Sequence, residues 1–133
     1  MEQITIPAHL DNLKTLFSFT SGVMEKDNID ISLQNKINIA IEEVFVNIAN
    51  YAYPAVNGDV TICVKSESDK IIFEFKDTGI PYNPLEKPDP DVTLSAEDRV
   101  IGGLGIFMVK KIMDDVQYKY EDDQNILTLI KNK

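Results

Sequence analysis

The stretch NKINIAIEEVFVNIANYAYP, residues 35–54, carries the clearest helical pattern of the chain. From about Ser32 to Ala52, apolar side chains recur at intervals of three and four residues. The members of this stripe are Leu33, Ile37, Ala40, Ile41, Val44, Ile48 and Ala52. A stripe of this kind predicts a long amphipathic helix with one face in the core.

Polar side chains flank the stripe on one side. Glu43 and Asn47 are one helical turn apart, and Asn50 lies close to both on a helical wheel. The three side chains can therefore point toward one place. A solvated helix face is the ordinary explanation of a Glu-x-x-x-Asn pattern, so this feature alone does not define a site.

The segments on either side of this helix predict a domain that contains both strands and helices. Residues 3–7 and 59–76 alternate in polarity as strands do, and two further segments have helical spacing. The predicted elements are strand 3–7, helix 9–26 (weakened near Gly22), helix 32–52, strands 59–65 and 70–76, helix 104–114, and strands 116–120 and 125–131. The order is βααββαββ, without an internal repeat.

A possible binding motif lies at the end of the third predicted strand, in the stretch FKDTGIP, residues 75–81. A turn after a strand explains Asp77 and Gly79 in ordinary terms. A carboxylate at a strand end can also accept a hydrogen bond from an exocyclic amine such as that of adenine. The loop that follows, at about 80–101, holds four of the chain's six prolines, and its length marks it as a candidate lid.

Three glycines, Gly102, Gly103 and Gly105, mark the start of the third helical pattern. Backbone N–H groups at a helix N-terminus suit a phosphate group, and glycines let them turn toward it. The pattern matches neither a P-loop nor the dinucleotide fingerprint, and a glycine-rich hinge is the alternative explanation. Arg99, the only arginine, lies just before these glycines and is a natural charge partner for phosphate.

Composition limits the possible functions. With 133 residues, 44% of them hydrophobic, the chain suffices for one core, and its net charge of -9 with scattered basic residues argues against nucleic-acid binding. The single Cys63 and single His9 make a disulfide framework, a zinc site or a Cys-His nucleophile improbable. No apolar run approaches the roughly 20 residues that span a bilayer, and the N-terminus lacks a signal-peptide pattern, so we expect a cytoplasmic protein.

The order of the motifs resembles the GHKL (Bergerat) ATP-binding fold, in which boxes of these types follow one another along the chain. Within that superfamily, the short length and residues 35–54 resemble the anti-sigma factor serine/threonine kinases of the RsbW and SpoIIAB type. The resemblance covers essentially the whole chain. It implies one α+β domain over residues 1–133, a two-layer sandwich with helices on one face of a mixed, mainly antiparallel sheet.

The same resemblance implies roles for individual residues. Glu43 matches the proposed general base, Asn47 the ligand of the Mg²⁺ that bridges the phosphates of ATP, and Asp77 the adenine-binding aspartate. The other implied nucleotide-binding residues are Asn50, Gly79, Arg99, Gly103, Leu104, Gly105 and Thr128. Thr128 is explained equally well as a strand-forming residue.

The resemblance implies a protein that transfers phosphate from Mg·ATP to a small STAS-type anti-anti-sigma partner. Such a protein also sequesters a sigma factor and could form a homodimer. Tyr51-Ala52-Tyr53 departs from the family's histidine, small residue and aromatic, and Arg99 stands two positions early. Lys14 is the only basic residue of the first helix before Lys26, so a sigma-contacting arginine is not evident.

Two other functions remain open on the sequence alone. The chain could be a nucleotide-gated binding module that lacks kinase activity. It could also be the detached catalytic domain of a histidine kinase, although no helical segment carries a phosphoaccepting histidine and His9 lies close to the N-terminus.

Overall fold

The computed structural model describes residues 1–53, 57–86 and 103–133. In chain order its elements are β1 Glu2–Pro7, α1 Leu13–Lys26, α2 Ile31–Tyr51, β2 Asp59–Ser66, β3 Lys70–Asp77, α3 Gly103–Ile112, β4 Asp115–Glu121 and β5 Gln124–Asn132. Short 3-10 turns lie at Leu10–Asn12 and Pro84–Glu86. The predicted order βααββαββ is confirmed, with boundaries that differ by a few residues.

The five strands form one sheet in the order β1-β2-β3-β5-β4. All four neighbouring pairs within the described residues are antiparallel. The last strand in sequence is inserted between β3 and β4, so β3 lies in the centre with β2 on one side and β5 on the other. This order places the end of β3 beside the start of β5, with Asp77 directly opposite Asn125.

The helices cover one face of the sheet, and the core lies between the two layers. On β3, every second residue is buried, and Ile71, Phe73 and Phe75 are at most 1% exposed. These side chains belong to one cluster with residues of α2 such as Ile41 and Phe45. A sheet with one covered face produces this alternation, since successive side chains of a strand point to opposite sides. The predicted two-layer α+β architecture is therefore confirmed, except that the sheet, predicted as mixed, has only antiparallel pairs among the described residues.

The connection between α1 and α2 is short and sharply defined. Asn28 adopts a left-handed φ of 57°, and the Ile29 N–H donates to the Met24 carbonyl, which closes the end of α1. Asp30 then caps α2, because its side chain accepts a hydrogen bond from the Ser32 N–H at 3.1 Å. These contacts fix where α1 ends and where α2 starts.

Gly22 does not interrupt α1, although glycine has a lower helix propensity than alanine. The helix continues through it from Leu13 to Lys26. Among the described residues, no atom of another segment lies within 4 Å of a Cβ placed on Gly22. The lower helix propensity of glycine is therefore offset by the packing of the buried face of α1, to which Leu16 and Val23 belong.

The hairpin between β4 and β5 turns through two residues. Asp122 and Asp123 have φ values of 54° and 61°, and they join the paired residues Glu121 and Gln124. Positive φ at both central residues is the geometry of a type I′ turn, whose twist suits a tight hairpin. This turn sets the register that places Tyr118 on the helix-covered side of the sheet.

α2 is 21 residues long, but polar and charged residues such as Asn35, Lys36 and Glu42 lie among its apolar residues. Within residues 1–53, 57–86 and 103–133, no helix has both the length and the apolar character to cross a membrane.

Candidate functional site

A cavity lies between α2, the start of α3 and one end of the sheet, where β3, β4 and β5 meet. Most of its walls are apolar. Two of the tyrosines that line it, Tyr51 and Tyr82, are 45% and 41% exposed. The lining residues are Val44, Asn47, Ile48, Tyr51, Ala52, Asp77, Ile80, Tyr82, Pro84, Ile106, Tyr118, Asn125 and Leu127. An apolar cleft with a few convergent polar groups is typical of a small-molecule site.

Asp77 is the acidic group that lines this cavity, and it is only 6% exposed. Its Oδ1 accepts hydrogen bonds from the Gly79 N–H at 2.9 Å and from the Asn125 amide at 3.0 Å. Within the described part of the chain, no hydrogen bond reaches its second oxygen, Oδ2. Burial raises the pKa of Asp77, while the bonds from Asn125 and Gly79 lower it. The site therefore offers a ligand one carboxyl oxygen that is free to accept a hydrogen bond.

Asn125 is a second buried polar residue at this site, and the sequence analysis did not identify it. Its Nδ2 also donates to the Ile80 carbonyl at 2.9 Å. Its Oδ1 accepts from the Tyr82 N–H at 3.1 Å and from the Tyr118 hydroxyl. The amide thus connects three segments, namely the end of β3, the segment that follows it, and β4.

Thr128 does not line the cavity. It lies on β5 opposite Glu74 of β3 and Gln117 of β4, on the sheet face away from the helices. Asn125 and Leu127 are on the other face, because strand residues alternate. In this fold, the polar contact to the Asp77 side chain from the last strand is made by Asn125.

Gly79 is required by a close approach of two backbone segments. A Cβ at this position would lie 2.3 Å from the carbonyl oxygen of Ala52, at the end of α2. The next residue, Ile80, donates its N–H to the same oxygen at 3.0 Å. The glycine therefore lets the segment after β3 dock against the end of α2, and this contact forms one wall of the cavity.

Glu43 and Asn47 extend the site along α2. Asn47 lines the cavity, and both residues are partly exposed. The Glu43 carboxylate contacts the first turn of α3, since its Oε2 is 2.6 Å from the position of a Cβ on Gly105. Asn50 is exposed and is not among the cavity-lining residues. The structure thus places Asn47 and Asp77 at the cavity and Glu43 beside Gly105, whereas Glu43, Gly105 and Asn50 are not among the cavity-lining residues.

Part of the predicted site lies beyond the described residues. Arg99, Gly102 and residues 87–101 of the predicted lid belong to this part, while residues 80–86 are described and include the turn Pro84–Glu86. Gly103 is the first residue of α3, and Leu104 follows it in the same helix.

The residues fit a magnesium site only if a bound nucleotide supplies part of the coordination shell. Among the described residues, no group of three or more His, Cys, Asp or Glu side chains could hold a metal ion. Asn47 offers an amide oxygen at the cavity. Mg²⁺ commonly takes few protein ligands and completes its shell with phosphate oxygens and water, so one such oxygen is compatible with Mg²⁺ bound together with a nucleotide.

The family of the chain follows from its sequence as a whole. The profile of the family described as "Histidine kinase-like ATPase domain" matches residues 6–131. The chain belongs to this family, which supports the predicted ATP-binding fold and the use of a nucleotide.

Individual relatives add detail. The "Serine-protein kinase RsbW" of Bacillus mycoides (strain KBAB4) is 25% identical over 129 residues, which cover 94% of this chain and 81% of the relative. The protein of the same name from Bacillus cereus (strain B4264) is 26% identical with the same coverage. The structure of Acinetobacter baumannii histidine kinase AdeS is similar with a TM-score of 0.50 at 11% identity, over 99% of this chain and 68% of that chain. This last similarity supports the fold alone.

Proposed function

We propose that the chain binds Mg·ATP and acts as an anti-sigma factor with serine/threonine protein kinase activity. Its substrate would be a small STAS-type anti-anti-sigma protein, and its second partner a sigma factor that it sequesters. The observation that carries the nucleotide part is the buried Asp77 carboxyl with one open oxygen in an apolar cleft. The similarity to proteins named serine-protein kinase supports the kinase part.

The Asp77 end of the cavity suits an adenine ring. A carboxylate accepts hydrogen bonds and donates none, so its open oxygen fits the exocyclic amine of adenine. Apolar side chains, among them Ile48, Ile80 and Leu127, provide walls against which a flat ring can pack. Burial of the ring against these walls and the charged hydrogen bond would together supply affinity and orientation.

The α2 end of the cavity suits the phosphates. The N-terminus of α3 begins at Gly103 and carries the partial positive charge of a helix start. Asn47 offers an oxygen for Mg²⁺, which when bound would neutralise charge on the phosphates. Glu43 lies one turn away on α2 and would accept the proton of the serine or threonine hydroxyl that attacks the terminal phosphate.

Phosphorylation of the partner would weaken its complex with this chain for an electrostatic reason. A phosphate adds about -1.5 to -2 charges at neutral pH. The chain itself carries a net charge of -9. The phosphorylated partner would therefore be repelled, and the chain would be released to bind a sigma factor.

The nucleotide part is tested by thermal unfolding with and without Mg·ATP. A ligand that binds only the folded state stabilises it by about 2.7 kcal/mol at a hundredfold excess over Kd. The wild-type protein should show a clear upward shift in Tm, and Asp77→Asn should lose most of it relative to its own unliganded Tm. Equal shifts in both proteins would contradict the role of Asp77.

The kinase part is tested by incubation with a STAS-type partner and ATP labelled at the terminal phosphate. Label on a serine or threonine of the partner supports the proposal. Nucleotide binding without transfer would identify a nucleotide-gated binding module. Acid-labile label on a histidine of a separate protein would identify a detached histidine kinase domain.

A further inference from the structure

The Asn125 amide is buried, with 7% of the residue exposed, and its hydrogen-bonding groups are all used. Nδ2 donates to Asp77 Oδ1 and to the Ile80 carbonyl, at 3.0 and 2.9 Å. Oδ1 accepts from the Tyr82 N–H and from the Tyr118 hydroxyl. A primary amide has two donor hydrogens and two acceptor lone pairs, so the set of strong bonds is complete.

These partners fix which way the amide points. In the reversed orientation, Oδ1 would face the Asp77 carboxylate and the Ile80 carbonyl, and Nδ2 would face the Tyr82 N–H. Each of these contacts would oppose two acceptors or two donors in a buried place, where unsatisfied polar groups are costly. The backbone of Ile80 and Tyr82 therefore holds the amide N–H toward Asp77.

The fixed amide in turn determines how Asp77 meets a ligand. Oδ1 is occupied by the N–H groups of Asn125 and Gly79, at 3.0 and 2.9 Å. The carboxyl group cannot rotate without losing both bonds, so Oδ2 is held as the single open acceptor of this carboxyl group at the cavity.

We propose that Asn125 is a positioning residue that sets the base selectivity of the site: by holding Oδ1 of Asp77, it keeps Oδ2 directed at the position of the exocyclic amine, so that the cavity selects a 6-amino purine over a 6-oxo purine. This inference rests on the proposed nucleotide-binding function. A 6-oxo purine presents an acceptor oxygen where the amine of adenine presents a donor, so Oδ2 would face an acceptor and stay unpaired.

The test compares the dissociation constants of Mg·ATP and Mg·ITP, measured by calorimetry on the full chain. ITP carries a carbonyl oxygen at position 6 in place of the exocyclic amine of ATP, and its N1 consequently bears a hydrogen. The wild-type protein should prefer ATP about tenfold or more, the usual effect of one charged hydrogen bond. Asn125→Leu keeps a similar volume and removes the amide, and it should reduce this preference at least about fivefold.

Two further variants separate positioning of Asp77 from a general structural effect. In an Asp77→Asn background, Asn125→Leu should leave the ratio of the two dissociation constants unchanged, because the carboxylate through which it acts is gone. Gln117→Leu also replaces an amide with leucine, but on the exposed outer face of the neighbouring strand β4. It should keep the wild-type preference for ATP.

The results distinguish the alternatives. An unchanged ATP preference in Asn125→Leu overturns the inference, as does an equal loss of preference in the Asp77→Asn background. If Asn125→Leu does not fold, Tyr118→Phe removes one donor to the amide, and it should lower the preference by about twofold or more; an unchanged preference there overturns the inference as well. A wild-type protein that binds neither nucleotide contradicts the proposed function itself.

Discussion

The Glu43 carboxylate lies against Gly105 so closely that a Cβ on the glycine would be 2.6 Å from Oε2. Real Cβ atoms essentially never approach another heavy atom this closely, so any side chain at this position must displace the carboxylate. The absence of a side chain at Gly105 therefore allows the observed position of Glu43 between α2 and α3.

Gly105→Ala should lower turnover much more than stability. The added methyl group must push the end of a flexible side chain, which costs little, and alanine favours the helix. A shift of about 1 Å in a catalytic group can reduce turnover by about 10- to 100-fold. Steady-state kinetics with the partner protein should show this loss, while urea unfolding should change by less than about 1 kcal/mol.

Gly22→Ala is the matched control for that substitution. Gly22 also lies inside a helix, with nothing within 4 Å for a Cβ to meet. It should stabilise the protein by about 0.5–1 kcal/mol and leave turnover unchanged. Full activity of Gly105→Ala would show that the position of Glu43 against α3 is not important for the reaction.

Glu43→Gln should retain ATP binding and lose phosphoryl transfer. The amide has nearly the same shape as the carboxylate but cannot accept the proton of a hydroxyl. General-base catalysis contributes typically about 10²- to 10⁴-fold, so transfer to the partner should fall by that factor. Glu42→Gln, an adjacent and similarly half-buried residue, serves as the control. Equal rates of the Glu43→Gln variant and the wild type would refute the base assignment.

Gly79→Ala should destabilise the fold. The new Cβ would lie 2.3 Å from the Ala52 carbonyl oxygen and 2.6 Å from the Ala52 Cβ. These two Ala52 atoms are fixed to the backbone at the end of α2, so the segment after β3 must move away. The hydrogen bond from the Ile80 N–H to the Ala52 carbonyl is then lost. We expect a loss of about 3 kcal/mol in urea unfolding, at the upper end for overpacking. A loss below about 0.5 kcal/mol would show that this segment shifts freely.

Asp77→Asn should make the unliganded protein more stable at neutral pH, although it should weaken the proposed nucleotide binding. Burial raises the pKa of Asp77 above its ordinary value, so the ionised carboxylate opposes folding. The amide of the variant carries no charge, and its oxygen can still accept the bonds from Gly79 and Asn125.

The sign of the pH dependence follows from the raised pKa. The folded wild type binds a proton more readily than the unfolded chain, so its stability falls as pH rises from about 3.9 through the raised folded pKa. The gain in the free energy of unfolding of Asp77→Asn over the wild type should be fully present above this pH range and absent below it. Unfolding curves of both proteins from about pH 3 to about pH 8 measure this difference in stability. A difference that does not change with pH would show that the charge of Asp77 does not cause it.

Most of the elements could be predicted well because they have a strong local pattern. The stripe of α2 has intervals of three and four residues over its whole length, and β3 alternates without interruption between buried and half-buried positions. The polar residues at the end of β3 and on α2 could also be identified, since their spacing within one element decides where they point.

The role of Asn125 could not be found in this way, because it depends on which strands are neighbours. Asn125 lies opposite Asp77 only since β5 is inserted between β3 and β4, and no local pattern encodes that order. The alternation of β5 is also obscured, because Ile126 and Leu127 face opposite sides and are both less than 9% exposed. For the same reason, the sequence alone does not separate Thr128, on the outer face, from the residues that line the cavity.

The two-residue turn at Asp122 and Asp123 has a consequence for how the protein can change by insertion or deletion. β5 is held on both sides, by β3 and by β4, whereas β4 is at the edge of the sheet. One extra residue in the turn would therefore shift β4, turn Tyr118 outward, and bring Gln117 or Lys119 toward the cavity. The length of a turn outside the cavity thus limits which chemical groups can stand beside Asn125, and natural insertions and deletions at this turn should be rarer than substitutions.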